Sequence, residues 1–228
     1  MRAKGLVGTL FFSASVVFLV GGCAPTAPRE SGFLPDYAHL TEQSAPGGGT
    51  RLQYVNPDFS PARYTAVWLE PVIYYPDPQP SGEVSGEALT QIRRAVDATL
   101  RRKVGQEVKL VDHAGPGVAR IRIALTAIGT ATQSLEAYQY IPIALVMTGA
   151  QAALNGGMPR NATVAIESRV TDSMSGELLY ASVRGGTGER VASMTQGNGG
   201  VRLSDLQPLI DEWTTGAASE IRKHVRTR

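Results

Sequence analysis

The chain has 228 residues, of which 43% are hydrophobic and 18% are charged, with a formal net charge of +2 and one cysteine. This length and composition predict a single globular domain and exclude a largely disordered chain. One cysteine excludes an intramolecular disulfide and a cysteine-cluster zinc or iron–sulfur site. The small charge surplus argues against nucleic acid as a partner.

Residues 1–22 have the pattern of a secretory signal peptide. Arg2 and Lys4 precede an uncharged apolar run, which ends in the small residues Gly21 and Gly22. Export and cleavage by a signal peptidase require this order of a positive start, an apolar stretch and small residues. The segment holds two basic residues and no acidic one, so its removal would leave a mature chain of zero formal charge.

The cysteine follows these small residues directly. The sequence resembles a bacterial lipobox at Val20, Gly21, Gly22 and Cys23. In a lipobox the thiol is diacylglycerylated, the chain is cut before it, and the new amino terminus is acylated, typically with palmitate. Several acyl chains on one residue give stable anchoring. Ala24 replaces the aspartate typical of inner-membrane retention, so the resemblance implies the periplasmic side of the outer membrane. The alternatives are an uncleaved signal anchor and secretion with Cys23 unmodified.

After the signal, we predict a lipidated N-terminus and tether at 23–31 and a single periplasmic α+β domain at 32–228. The tether is rich in proline and small residues, which bury little surface and favour extended conformations. No internal repeat and no second domain boundary are visible in the sequence.

In the first half of the domain, the apolar spacing predicts a strand, a helix and two further strands. The first strand covers 64–75 and is interrupted late by Pro71. A helix extends from Ser85 as N-cap to about Val104, because its apolar residues recur on one face. A short strand at 108–112 follows. A strand at 119–127 alternates apolar and polar residues, which predicts one face in water.

An uncharged segment, 138–158, precedes the next predicted strand. A helix is expected over 143–154, and about a dozen residues are too few to cross a hydrocarbon core of about 30 Å. This inserted apolar helix either packs in the core or forms an exposed surface for self-association, an envelope partner or membrane contact. The candidate interface residues are Tyr140, Ile143, Val146, Met147 and Leu154.

In the second half of the domain, the sequence predicts a hairpin and a helix. The hairpin joins strands at 162–172 and 177–184, with Glu167 on the outward face of the first strand. The glycine-rich stretch 185–200 is expected to be mobile, and Ser204 is expected to begin an amphipathic C-terminal helix in a capping box. Together the elements predict an α+β two-layer sandwich, with a mostly antiparallel sheet and two amphipathic helices on one face.

We predict no catalytic, cofactor or metal site. The chain lacks the nucleophile elbow G-x-S-x-G, a P-loop, H-E-x-x-H and a complete G-x-G-x-x-G. The three histidines lie in separate segments, at His39, His113 and His224. Asp112 and His113 are adjacent in a predicted strand, so their side chains are expected to point to opposite faces. Three further polar residues are candidates for a pocket lining: Tyr64, Glu70 and Glu167.

The start of the mature domain carries a distinctive motif, Ser31-Gly32-Phe33-Leu34-Pro35-Asp36-Tyr37. With Leu52-Gln53-Tyr54-Val55-Asn56-Pro57 and the hairpin Val170-Thr171-Asp172-Ser173, it resembles the domain-of-unknown-function family 3313 of bacterial lipoproteins. The resemblance implies localisation and supplies no activity. Physically, Phe33, Leu34 and Tyr37 are expected to dock the end of the tether onto the sheet, with Asp36 capping a turn.

These patterns favour a non-enzymatic, lipid-anchored outer-membrane lipoprotein that faces the periplasm and acts in envelope interactions or assembly. A periplasmic enzyme acting on an envelope glycan or lipid is one alternative. A carrier of a small apolar ligand is another, which a deep apolar cavity would support.

Overall fold

The structure, a computed structural model, describes residues 30–46, 48–131, 160–191 and 200–226. The signal pattern, Cys23 and the 138–158 segment with its five candidate interface residues lie outside the described residues. The predicted boundaries of signal, tether and domain therefore stay predictions. None of the helices in the described ranges is long and apolar enough to cross a membrane.

One eight-stranded sheet forms the body of the domain. Its strands are β1 (Thr41–Ser44), β2 (Thr50–Val55), β3 (Ala66–Leu69), β4 (Ile73–Tyr74), β5 (Leu110–Val111), β6 (Val118–Ala131), β7 (Arg160–Asp172) and β8 (Leu178–Val191). The order is β1-β2-β8-β7-β6-β3-β5, with β4 also beside β6. Along the sheet, neighbours in the series β1-β2-β8-β7-β6 pair antiparallel. The short strands pair in parallel: β3 with β6 and β5, and β4 with β6.

Two α-helices, α1 (Gly86–Glu107) and α2 (Leu203–His224), pack side by side on one face of this sheet. We call the face under the helices the inner face and the opposite one the outer face. The predicted α+β fold with two helices over a mostly antiparallel sheet is confirmed. The predicted strand over 64–75 is two strands, because the chain leaves the sheet between Leu69 and Ile73, around Pro71.

Helix α1 follows its sequence pattern closely. The Ser85 hydroxyl accepts a hydrogen bond from the backbone N–H of Ala88 at 3.1 Å, so the predicted N-cap is confirmed. The predicted apolar stripe is buried, with Ile92 fully enclosed. The helix continues three residues beyond Val104, to Glu107.

Helix α2 begins differently from the prediction. Its first turn is closed by Asp205, whose carboxylate accepts the backbone N–H of Arg202 at 2.8 Å. The cap expected at Ser204 is therefore wrong by two residues, because Ser204 already lies inside the first turn. The apolar face is correctly predicted, since Leu206 and Ile210 are buried in the core.

The β7–β8 hairpin is confirmed, but its second strand is longer than expected. The Asp172 carboxylate accepts the N–H groups of Met174 and Ser175 at 2.9 and 2.8 Å, which fixes the turn. Strand β8 then continues to Val191, so the expectation of a mobile stretch from residue 185 is wrong up to that residue. Its glycines serve packing, because a Cβ on Gly188 would overlap the carbonyl oxygen of Asp205 in α2.

The outer face of the sheet differs most from the prediction, because it was expected to face water. Residues expected to face water on β6 and β7 are enclosed: Ala124 is 0% exposed and Glu167 is 2% exposed. The cover is the N-terminal part of the domain, whose Phe33 and Leu34 form a second core cluster with Ala124. The sheet therefore carries apolar contacts on both faces, and this second layer encloses the polar pair of Tyr37 and Glu167.

Candidate functional site

The docking segment, residues 31–40, lies on the outer face of the sheet. Phe33 and Leu34 are buried against Ala181 and Val183 of β8, as well as against β6. Asp36 accepts the backbone N–H of Ala38 at 2.8 Å and so caps the turn that follows. The predicted docking of this motif and the turn-capping role of Asp36 are both confirmed.

Tyr37 is the hydrogen-bond centre of the docking segment. Its hydroxyl donates to Glu167 Oε2 at 2.7 Å and accepts the backbone N–H groups of Gly32 and Leu34 at 3.1 and 3.2 Å. The Ser31 hydroxyl lies 3.0 Å from the hydroxyl oxygen of Tyr37. One phenol therefore ties the backbone of the motif to a carboxylate that lies 130 residues later in the chain.

Glu167 is an acid in a mostly enclosed site. Burial raises the pKa of its carboxyl above the ordinary range, and the hydrogen bonds from Tyr37 and Ser31 offset only part of that rise. The folded domain therefore favours the protonated form more than the unfolded chain does. As a result, the contribution of this group to stability falls as pH rises from the ordinary glutamate range through the raised pKa.

The arginine cluster, made of Arg120, Arg122 and Arg169, lies beside the docking segment on the outer face. Glu70 accepts hydrogen bonds from Arg120 and pairs with Arg122 Nε at 3.1 Å. The guanidinium of Arg169 instead stacks over the Phe33 ring, 5.1 Å from its centroid. Burial and the two neighbouring arginines lower the pKa of Arg169. Glu70 therefore pairs with two of the three arginines, and Arg169 contacts an aromatic ring instead.

A cavity of about 160 Å³ lies between the inner face and the helices. Most of its wall is apolar, and α2 contributes more of it than any other element, including Leu206 and Ile210. Helix α1 adds Val96, and the sheet adds Ile123 of β6. The lining also includes the hydroxyls of Ser168 and Ser182, which lie 2.8 Å apart, and the charged side chains of Arg51, Arg184 and Glu220. An apolar cavity of about this size stays dry and holds a benzene-sized molecule in other proteins.

The three residues proposed as a pocket lining do not come together. Tyr64 donates to the Asp172 carboxylate at 3.1 Å, Glu70 joins the arginine cluster, and Glu167 holds Tyr37. None of them lines the helix–sheet cavity. Each belongs to a separate network, so the structure gives no common pocket for them.

Asp112 and His113 correct another expectation. They contact each other, with His113 Nδ1 2.6 Å from Asp112 Oδ1, because the chain bends immediately after β5 and strand alternation ends there. Both side chains are largely in solvent, at 97% and 79% exposure. The hydrogen bond from His113 lowers the pKa of Asp112. Within the described ranges, no group of three or more His, Cys, Asp or Glu side chains could hold a metal ion.

Comparison with known proteins gives the family. The family model for proteins of unknown function DUF3313 matches residues 29–217. The chain belongs to this family. The DUF3313 match includes the docking segment, the arginine cluster and the cavity-lining strands, and it confirms the resemblance seen in the N-terminal motif.

Two similar proteins are described as uncharacterized lipoproteins. The DUF3313 chain is 29% identical over 201 residues to the uncharacterized lipoprotein YdcL of Escherichia coli K12, covering 87% of this chain and 89% of that protein. The same values hold for YdcL of Escherichia coli O157:H7.

Solved structures give weaker matches to the DUF3313 chain. The PelC dodecamer from Paraburkholderia phytofirmans is 14% identical with a TM-score of 0.34, covering 78% of this chain and 99% of that one. A PDZ domain protein from Parabacteroides distasonis is 11% identical with a TM-score of 0.37, covering 83% of this chain and 37% of that one.

Proposed function

We propose that the chain is an outer-membrane lipoprotein, anchored through acylated Cys23, whose domain faces the periplasm and acts through contacts with envelope components and not as an enzyme. The lipobox residues at 20–23 and the lipoprotein relatives support the anchor. Ala24 supports the outer membrane over the inner one. The polar groups of the described site support a non-catalytic role, because Glu167 and Glu70 are engaged in holding the fold.

The observation that carries this proposal is the docking of the N-terminal segment. Tyr37 and Glu167 fix residues 31–37 on the outer face, and Ser31 follows Cys23 by eight residues. Eight extended residues reach at most about 29 Å. An acylated Cys23 would therefore hold the domain close to the bilayer, in the position expected of an anchored envelope component.

Site-specific photocrosslinking in intact cells tests the contact surface. We propose the uncharged 138–158 segment as that surface, for a second copy or an envelope protein, because interface centres are depleted in charge and rich in aromatic residues. A photocrosslinking residue at Tyr140 should give discrete higher-mass adducts. The same residue at Met174, an exposed position on the hairpin turn, serves as the control and should give none. Absence of adducts at Tyr140 would count against contact through this segment.

The cavity favours a second candidate function, the carriage of a small apolar ligand. We expect the unacylated mature chain to bind benzene, seen as a rise in Tm with benzene concentration. Val96→Phe should abolish that rise, because Val96 lines the cavity and a larger ring would fill it. Ala98→Phe, at an exposed position on the same helix, should bind benzene normally. Equal responses in both variants would rule out the cavity as the binding site.

A further inference from the structure

The arginine cluster on the outer face holds more positive charge than its one paired carboxylate balances. Glu70 is the carboxylate paired with the arginine cluster, and it contacts Arg120 and Arg122. No ion pair to Arg169 is present within the described ranges, where its guanidinium meets the Phe33 ring. All three side chains are partly exposed, so an anion from outside can reach them.

Apolar side chains border this charge on the same face. Ile73 and Tyr75 are exposed at 36% and 38%. Ile73 pairs with Ala124 of β6, which places it on the outer face. The Tyr75 ring lies 5.8 Å from the Phe33 ring and so continues the surface of the docking segment. Arginine beside exposed tyrosine and isoleucine is a composition suited to the boundary between headgroups and acyl chains.

The position of the proposed lipid anchor at Cys23 indicates that the partner of this surface is the membrane itself. The docking segment that leads back to Cys23 packs on this outer face, under the guanidiniums of Arg122 and Arg169. If Cys23 is acylated, the short tether keeps this face close to the lipid headgroups. A guanidinium binds phosphate through two parallel hydrogen bonds, and anionic headgroups attract basic side chains placed near them.

We propose that the membrane-facing surface, formed by Arg122, Arg169, Ile73 and Tyr75, rests on anionic phospholipid of the membrane that holds the anchor. The two guanidiniums bind headgroup phosphates, and Ile73 and Tyr75 enter the interfacial layer. This inference rests on the proposed lipid anchor, and it fixes the orientation of the domain, with the helices directed away from the bilayer.

Vesicle flotation tests the surface without the anchor. The mature chain carrying Cys23→Ser should float with vesicles of phosphatidylcholine and phosphatidylglycerol at low salt, and not with phosphatidylcholine alone. The double variant Arg122→Gln and Arg169→Gln should bind at least about tenfold more weakly, because each basic residue near an anionic surface contributes about fivefold. The matched control, Arg94→Gln and Arg102→Gln, removes the same charge from exposed positions on α1 and should bind like the parent chain.

Several results would overturn this inference. Equal flotation with both vesicle types, unchanged binding of the Arg122 and Arg169 variant, or an equal loss in the α1 control would each do so. Failure to float combined with photocrosslinking of position 75 to an acidic protein would assign the surface to a protein partner instead. The acylated wild-type protein should float with both vesicle types, so failure of the anchor is distinguishable from failure of this surface.

Discussion

Gly188→Ala is expected to lower the free energy of unfolding by about 2–3 kcal/mol, as judged from overpacked cores in other proteins. The added Cβ would overlap the Asp205 carbonyl oxygen and lie 3.0 Å from Leu206 Cδ2. Both neighbours belong to the first turn of α2, and one of them is backbone, so the start of the helix has to move away from β8. Urea unfolding of the unacylated mature chain, followed by circular dichroism, measures the loss.

Gly129→Ala is the matched control for this prediction. Gly129 also lies inside a strand, in β6, and a Cβ placed there meets nothing within 4 Å. Its substitution should change the free energy of unfolding by no more than about 0.5 kcal/mol. If both alanine variants are equally stable, then close contact between α2 and β8 is not what requires glycine at position 188.

Tyr37→Phe is expected to cost about 2–4 kcal/mol of unfolding free energy at neutral pH. The substitution removes the donor to the enclosed Glu167 carboxylate and the acceptor for two backbone N–H groups. Without the phenol, the pKa of Glu167 rises further. The cost should therefore be smaller near pH 5, where the carboxyl is more readily protonated, than near pH 7.5. Urea unfolding at both pH values measures the difference.

Tyr54→Phe controls for the loss of a phenol. Tyr54 packs against the same outer-face cluster, and its hydroxyl makes no hydrogen bond within the described ranges. This variant should keep wild-type stability at both pH values. A pH-independent loss in Tyr37→Phe, equal to the loss in Tyr54→Phe, would show that Glu167 does not depend on Tyr37.

The order of residues within one segment was sufficient to predict the elements that are fixed by contacts within that segment. The apolar spacing of α1 and its Ser85 cap are properties of a single helix, and the Asp172 turn is set by its own neighbours. The β1–β2 hairpin was missed, because Thr41–Ser44 is exposed throughout and shows no apolar alternation. Short polar edge strands carry little of the periodic signal on which such predictions depend.

The candidate site was less predictable, because it depends on contacts distant in sequence. Glu167 has the alternation of a solvent-facing strand residue. It is enclosed by the docking segment, whose Tyr37 lies 130 residues earlier in the chain. Likewise, the glycines of β8 resemble a loop until α2 packs on them. The N-terminal motif did indicate its own docking on the sheet. Its phenylalanine, leucine and tyrosine lie in no predicted helix or strand, so they were expected to be buried against another part of the domain.

The most direct measurement of the central claim is metabolic labelling with an alkyne palmitate analogue, followed by separation of inner and outer membranes on a density gradient. Cys23→Ser is the matched variant, since it removes the one thiol in the chain. Wild-type protein should carry the label and sediment with the outer membrane, and Cys23→Ser should be unlabelled and keep its signal segment. Unlabelled wild-type protein in the soluble periplasmic fraction, or label retained by Cys23→Ser, would contradict the account.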